Sequence, residues 1–349
     1  MFLHALATAV PDCSLTQAEC LRVLHQPEVR AGLSRRSALI LQAILRGDSG
    51  IDQRYFAVPS VENVWQRSSD ELNAAFRQEA PKLAERALLA ALKEAKLEAA
   101  QIDALLICTC TGYLCPGVTS YVAEHLGLRP NVWLQDLVGL GCGAAIPLLR
   151  AGQAVLASHP DAVVVCIAVE ICSAAFYLDD DPGVLVSACL FGDGAAATIW
   201  RSAPGPTGLW CDDFNTLHQP GYRDFIRFET RNGKLRNLLR PEVPELAAKA
   251  VRHLVDEACA SGGTRPISRL ITHTGGRDVL DAIEKELPAY LLEASRRVLR
   301  DYGNMSSPSV LFAFEEALKH HSAPDKSDDW LLVSFGAGFS AHACRVGVI

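Results

Sequence analysis

The chain reads as an α/β protein whose apolar sheet is covered by helices on both faces. Two observations carry that reading. Strand-length runs such as 103–110 (DALLICTC) and 162–169 are apolar throughout, without the in–out alternation of a half-solvated strand. They alternate along the chain with segments whose apolar residues recur at three- and four-residue spacing. With 349 residues, 49% of them apolar, the chain has material for more than one core.

Taken in order, residues 2–10 form a short strand stopped by Pro11. Residues 15–46 have a helical pattern, with Thr16 or Ser14 as N-cap, and Ser49-Gly50 breaks it. Residues 69–97 are an amphipathic helix, with Ala, Leu and Phe spaced among Glu, Arg and Lys. A strand at 103–110 is followed by a helix at 119–126 that ends at Gly127, and then by a strand at 131–137. Next come a helix at 142–158 and strands at 162–169 and 195–200. The run RSAPGPTG (201–208) gathers Pro, Gly and small polar residues and marks the best internal boundary. It divides the chain into 1–203 and 204–349. Beyond it the alternation resumes with helix 244–261, strand 267–273, helices 277–287 and 308–320, and strands 330–335 and 341–348. The matching element order of the halves suggests a duplication, although no repeat shows residue by residue.

Composition narrows the function classes. There are 33 basic and 40 acidic residues, a net charge of −7, which leaves no basic stripe for nucleic acid. No apolar run approaches the roughly 18 residues of a membrane span. The N-terminus, MFLHALATAVPD, lacks a charged n-region and a cleavage-site pattern, so a cytoplasmic setting is expected. Twelve cysteines raise three possibilities. A disulfide framework belongs to short chains with little core. A zinc site needs two close pairs, yet only C-x-C at 108/110 and C-x4-C at 110/115 occur. Reduced, mostly buried thiols remain, one of which is a candidate nucleophile.

Three motifs carry chemistry. In VGLGCGAA (138–145), Cys142 stands between glycines, after a strand and before a helix whose N-terminus favours a thiolate. A lowered thiol pKa is therefore expected, with Cys142 alkylated first at mildly acidic pH. In LITHTGGRDVL (270–280), His273 closes an apolar strand above a Gly-Gly turn. In DYGNMSSPSVLF (301–312), Asn304 lies in a turn before a helix. Each alone has an ordinary structural explanation: a buried cysteine, a capping histidine, a turn asparagine. Together they form a set suited to thioester chemistry, with a thiol to attack, an imidazole to take its proton, and two donors for an oxyanion.

The order and wording of these motifs resemble the type III polyketide synthases, the chalcone and stilbene synthase family of the thiolase superfamily. ATAVPD, SGIDQRYF (49–56), CTCTGYLCPG (108–117), LVSACLFGDGAAA (185–197), HTGG, YGNMSS and SFGAGF (334–339) follow the family's order over nearly the whole chain. The short length and arginine-rich basic set, 25 Arg to 8 Lys, are those of a bacterial-like member.

The resemblance implies a five-layer αβαβα fold of two similar halves, a homodimer, and coenzyme A thioesters as substrates, with no metal or bound cofactor. Cys142 would take an acyl group from an acyl-CoA starter. His273 and Asn304 would stabilise the enolate formed when malonyl-CoA loses carbon dioxide. Repeated Claisen condensation and cyclisation would follow. Phe191 matches a phenylalanine bordering the passage to the cavity, and the family's second gate phenylalanine falls on Arg236. Cavity positions fall on Cys110, Thr111, Cys115, Cys172, Ala175 and Ser306, with Cys115 at the position that reaches across the dimer. The family's glycine loop becomes Ser334-Phe335-Gly336-Ala337-Gly338. Of the basic residues near the coenzyme A site, Arg35, Arg36 and Arg46, only Arg46 is a candidate for a phosphate. A single-condensation ketoacyl synthase and a non-catalytic binding subunit on the same fold are the alternatives. The other eight cysteines are expected to be buried filler.

Overall fold

A computed structural model of the chain describes residues 1–31, 33–58, 67–177, 180–260, 265–320 and 325–349. The strands are β1 (Phe2–Ala9), β2 (Cys13–Thr16), β3 (Gln53–Phe56), β4 (Ala104–Cys108), β5 (Trp133–Leu137), β6 (Val164–Glu170), β7 (Gly194–Arg201), β8 (Leu209–His218), β9 (Ile226–Arg231), β10 (Lys234–Leu239), β11 (Ile267–Thr272), β12 (Asp329–Gly336) and β13 (Ser340–Val348). The helices are α1 (Gln17–Leu24), α2 (Pro27–Ala31), α3 (Arg35–Arg46), α4 (Ser69–Ala95), α5 (Val118–His125), α6 (Ala145–Ser158), α7 (Pro182–Leu190), α8 (Val243–Ala260), α9 (Arg277–Glu286), α10 (Glu293–Tyr302) and α11 (Ser309–His320).

Nine strands form one hydrogen-bonded order, β11-β12-β13-β8-β1-β7-β6-β4-β5. The pairing repeats. β4 runs parallel to β6, β6 antiparallel to β7, and β7 antiparallel to β1. In the second half β11, β12, β13 and β8 pair with the same directions in the same sequence. In the strand order the halves join at one residue pair, Phe2 of β1 with Trp210 of β8. Helix α6 packs on β4 and β6 and also on β12 and β13. In a flat sheet β4 and β12 would lie about 29 Å apart at ~4.8 Å per strand, too far for one helix to touch both. The order therefore folds back on itself around α6 and α11.

Side-chain alternation shows the resulting layers. Along β4, Ala104, Leu106 and Cys108 enter the central core between the halves, while Leu105 and Ile107 enter an outer core beneath α4. Along β12, Trp330 and Leu332 face the centre, and Leu331 and Val333 face the outer core under α8 and α9. Every strand with two buried faces must be apolar on both, which is why the runs showed no alternation. The layers run α4, sheet, α6 with α11, sheet, α8 with α9.

The 15–46 region differs from the single helical stretch that its pattern predicts. Thr16 caps α1 in a capping box with Glu19, but Pro27 and the Ser34 N-cap restart the helix twice. Sequence reading also passes over β2, β3, β8, the β9–β10 hairpin, α7 and α10. β8 carries polar residues on a half-exposed face and shows no clean alternation, whereas α10 keeps a helical spacing, with Ala294, Val298 and Leu299 buried, but in a short, charge-rich segment. Among the described residues no helix is long and apolar enough to cross a membrane.

Candidate active site

Cys142 lies in a single 3₁₀ turn, Gly141–Gly143, between β5 and α6, three residues before the helix proper. Gly141 turns the chain at φ +56°, a value that disfavours residues with a Cβ. Gly336 at the end of β12 is pressed against this turn. A Cβ there would stand 2.5 Å from the Gly143 nitrogen and 3.0 Å from the Cys142 nitrogen. Ser334 Oγ donates to the Gly143 carbonyl at 2.8 Å, so the second half braces the nucleophile turn of the first.

His273 follows β11, its N–H bound to the Val333 carbonyl at 2.9 Å and its ring edge-on to Phe335. Asn304 stands after α10. Its side-chain oxygen accepts from the Ser306 N–H at 2.7 Å, which leaves the amide nitrogen as the donor, 3.5 Å from the Gly275 carbonyl on the cleft wall. Ser306 adopts a left-handed conformation at φ 61° to make that contact. Its hydroxyl lies 3.2 Å from both Cys142 Sγ and Cys110 Sγ.

Cys142, His273, Asn304 and Phe191 line one cleft of about 390 Å³. Val186, Leu190, Leu239, Pro244, Gly275 and Val279 are shared with an outer mouth of about 460 Å³ bounded by Ala43, Asp48 and Arg277. On the inner side Phe191, Phe228 and Asn237 are shared with a chamber of about 30 Å³. Thr111, Cys172, Ala175 and Ser306 line that chamber. The three cavities therefore adjoin one another, and Phe191 and Phe228 stand on the boundary between cleft and chamber.

Burial dominates the electrostatics. It pushes the Cys142 thiol up to about 12, against the opposing hydrogen bond from Ser306, and the Glu170 carboxylate adds to the rise. Burial likewise lowers His273 to about 3, against a hydrogen bond to the Ser306 backbone. Burial therefore favours the neutral forms of both the thiol and the imidazole. This direction is opposite to the lowering expected from the helix N-terminus: Cys142 sits in a single 3₁₀ turn enclosed by protein, where desolvation is the largest influence on the thiol.

Glu170, which the sequence reading missed, ends β6 fully buried. It accepts hydrogen bonds from Thr109, Cys110, Thr111 and Ser307. Burial raises its pKa and these donors oppose the rise. Its one visible signal is an acidic residue directly after the apolar run 162–169.

Several expected positions lie elsewhere. Arg236 binds Asp181 and Glu229, while its strand neighbours Leu235 and Asn237 line the chamber. Alternation along β10 puts Arg236 on the other face, and Phe228 on β9 supplies the second aromatic group. Cys110 stands behind Ser306 rather than on the chamber wall, and Cys115 is exposed. Gly338 lies off the cleft near His218, and Ala337 lines it instead. Arg46 ends α3 beside the mouth without lining it. All twelve cysteines are free thiols; of the eight expected as filler, Cys13 and Cys259 are exposed and Cys20 is half-buried.

A repeated sheet wrapped around two central helices, with a buried cysteine facing histidine and asparagine across a cleft, defines a thiolase-fold condensing enzyme. Comparison with known proteins gives its family. Residues 10–205 match the family described as FAE1/Type III polyketide synthase-like protein, and residues 219–346 match the C-terminal domain of chalcone and stilbene synthases. The 1,3,6,8-tetrahydroxynaphthalene synthase of Streptomyces peucetius subsp. caesius is 31% identical, over 97% of this chain and 90% of the relative. The 3,5-dihydroxyphenylacetyl-CoA synthase of Amycolatopsis orientalis is 29% identical, over 95% and 90%. The crystal structure of 1,3,6,8-tetrahydroxynaphthalene synthase from Streptomyces coelicolor A3(2) superposes with a TM-score of 0.86 at 23% identity, covering 100% of this chain and 99% of that one. PKS-I from the brown alga Ectocarpus siliculosus gives 0.87 at 25% identity, covering 100% and 98%. The chain belongs to the type III polyketide synthase family.

Proposed function

We propose that the protein loads an acyl-CoA starter on Cys142 and extends it iteratively with malonyl-CoA, then cyclises the chain to a pyrone, resorcinol or related aromatic. The observation behind this is the single cleft lined by Cys142, His273 and Asn304, adjoining an outer mouth and an inner chamber. In loading, Cys142 Sγ attacks the thioester carbon as His273 takes the thiol proton and passes it to the leaving coenzyme A sulfur. Malonyl-CoA then loses carbon dioxide, and its enolate oxygen accepts hydrogen bonds from His273 and the Asn304 amide. The enolate carbon attacks the acyl-Cys142 carbon, forming the new C–C bond and freeing the cysteine sulfur. The imidazole acts first as base, with a lone pair on the nitrogen facing the cleft, and later as donor, with a hydrogen on that nitrogen, so the ring changes tautomer or takes up a proton between the two steps. As it stands the inner chamber has room for about two water molecules, which favours short chains.

Residues 1–203 and 204–349 act as the two duplicated units of this reading. A homodimer fits the edge strand β5, where Trp133, Leu134 and the following Val138 are exposed together. Sedimentation should give twice the chain mass, and Leu134→Lys should shift it toward the monomer.

The chemistry is tested by incubating the protein with malonyl-CoA and a panel of acyl-CoAs. Pyrones or resorcinols are expected, together with an acyl adduct on Cys142. Full condensation by Cys142→Ala would refute the assignment.

A further inference from the structure

Arg54 is a buried charge that the condensation chemistry leaves unused. It lies on β3 and is 1% exposed. Among the described residues no ion pair joins it to a carboxylate. Its guanidinium instead donates to four uncharged acceptors. Nη1 reaches the carbonyls of Ala188 and Phe191 at 2.8 and 2.7 Å. Nε reaches Gln17 Oε1 at 3.2 Å and Nη2 reaches Cys20 Sγ at 3.3 Å. Burying a cation is costly unless acceptors replace its water. Here one acceptor, the Ala188 carbonyl, lies in the last turn of α7, where a helix favours positive charge, and another, the Phe191 carbonyl, belongs to the residue that follows the helix.

One of these carbonyls belongs to Phe191, which divides the reaction cleft from the inner chamber. The stem of Arg54 touches the other side of the site. A Cβ on Gly303 would stand 2.8 Å from Arg54 Cγ and 3.0 Å from Cδ, so the chain before Asn304 rests directly on this side chain. The two segments are themselves joined, the Asn304 N–H to the Leu190 carbonyl and the Gly192 N–H to the Asn304 carbonyl, each at 3.0 Å.

We propose that Arg54 is a positioning residue that sets Phe191 through its guanidinium and Asn304 through its stem, so that the cleft partition and the enolate donor are placed as one unit. The proposal rests on the condensing reading above. Lysine keeps the charge and most of the stem but lacks the planar fork that holds several acceptors in fixed directions.

The test compares two partial reactions in Arg54→Lys: acylation of Cys142 by a starter acyl-CoA, and decarboxylation of malonyl-CoA without starter. Decarboxylation depends on the Asn304 donor and should fall about 10- to 100-fold, below the loss seen when an oxyanion donor is removed outright. Acylation should stay within about 3-fold. Equal loss of both rates, or no loss in either, overturns the proposal. If Arg54→Lys does not fold, Gln17→Leu loosens the guanidinium without removing it. There decarboxylation should drop about 3-fold with loading unchanged, a weakened form of the same loss, and equal effects overturn the proposal. Failure of the wild-type protein to acylate Cys142 with any acyl-CoA would sink the condensing reading and this proposal together. Acylation with an unchanged ratio of the two rates would sink this proposal alone.

Discussion

At the scale of single residues, the site is a competition between burial and hydrogen bonding. The thiolate of Cys142 is the attacking form, and burial keeps its population small near neutrality. Iodoacetamide inactivation should therefore climb about tenfold per pH unit between pH 6 and 9 without a plateau. Peptide mapping should find the exposed Cys13, Cys115 and Cys259 labelled before Cys142. A plateau reached in mild acid would mean a pre-formed thiolate and would contradict the burial argument. Ser306→Ala removes the hydroxyl that favours the thiolate and should slow the labelling further. Cys142, His273 and Asn304 stand out in the sequence because each sits in a short turn beside glycine. Glu170 does not, because its partners Thr109, Thr111 and Ser307 reach it only through the fold. The direction of the thiol shift has the same origin: helix position is local, whereas burial is a property of the assembled halves.

At the scale of elements, the β9–β10 hairpin decides which side chain borders the chamber opposite Phe191. Placing a gate side chain on Arg236 assumes a strand register, and a shift of one residue exchanges the two faces. In the structure Leu235 and Asn237 face the chamber and Phe228 joins Phe191 on its boundary with the cleft. Phe228→Ala should widen the passage and shift the products toward longer or bulkier chains. Arg236→Leu should lower thermal stability but leave the product profile unchanged. Mass spectrometry of products from a mixed acyl-CoA pool separates the two, and a profile altered by Arg236→Leu alone would return the gate to that position. The same contrast explains which elements could be read in advance. β4, β6 and β12 are buried on both faces, so their apolar runs announce them. β8 is apolar only where β13 covers it, and β13 comes from distant sequence, whereas α10 packs chiefly on the next helix, α11.

At the scale of the whole molecule, the buried titratable groups pull acid stability in opposite directions. His342 on β13 is held neutral near pH 4, chiefly by burial, with His218 and Arg150 adding repulsion, and it shares hydrogen bonds with Thr216 and Ser340. His273 is lowered in the same sense. Between pH 6.5 and these lowered values the unfolded chain takes up protons that the native state refuses. Each histidine then removes about 1.4 kcal/mol of stability per pH unit as the pH falls. Asp193 works the other way. Burial raises it to about 6, against donors from Ala57 and Ser173, so the native state gains relative stability as that carboxyl protonates. The raised pKa of Glu170 has the same sign. Opposed terms hide one another in the wild-type curve, so the informative quantity is a difference. His342→Gln keeps a polar side chain beside Thr216 and Ser340 and removes one proton from the balance. Its stability relative to wild type should rise by about 1.4 kcal/mol per pH unit as the pH falls from 6.5 to about 4, and then level off. Urea titrations at half-unit pH steps measure this directly. A difference that does not vary with pH would show that His342 binds its proton equally well in the folded and unfolded chain, and the burial that holds the nucleophile site neutral could then not be acting on β13 beside it.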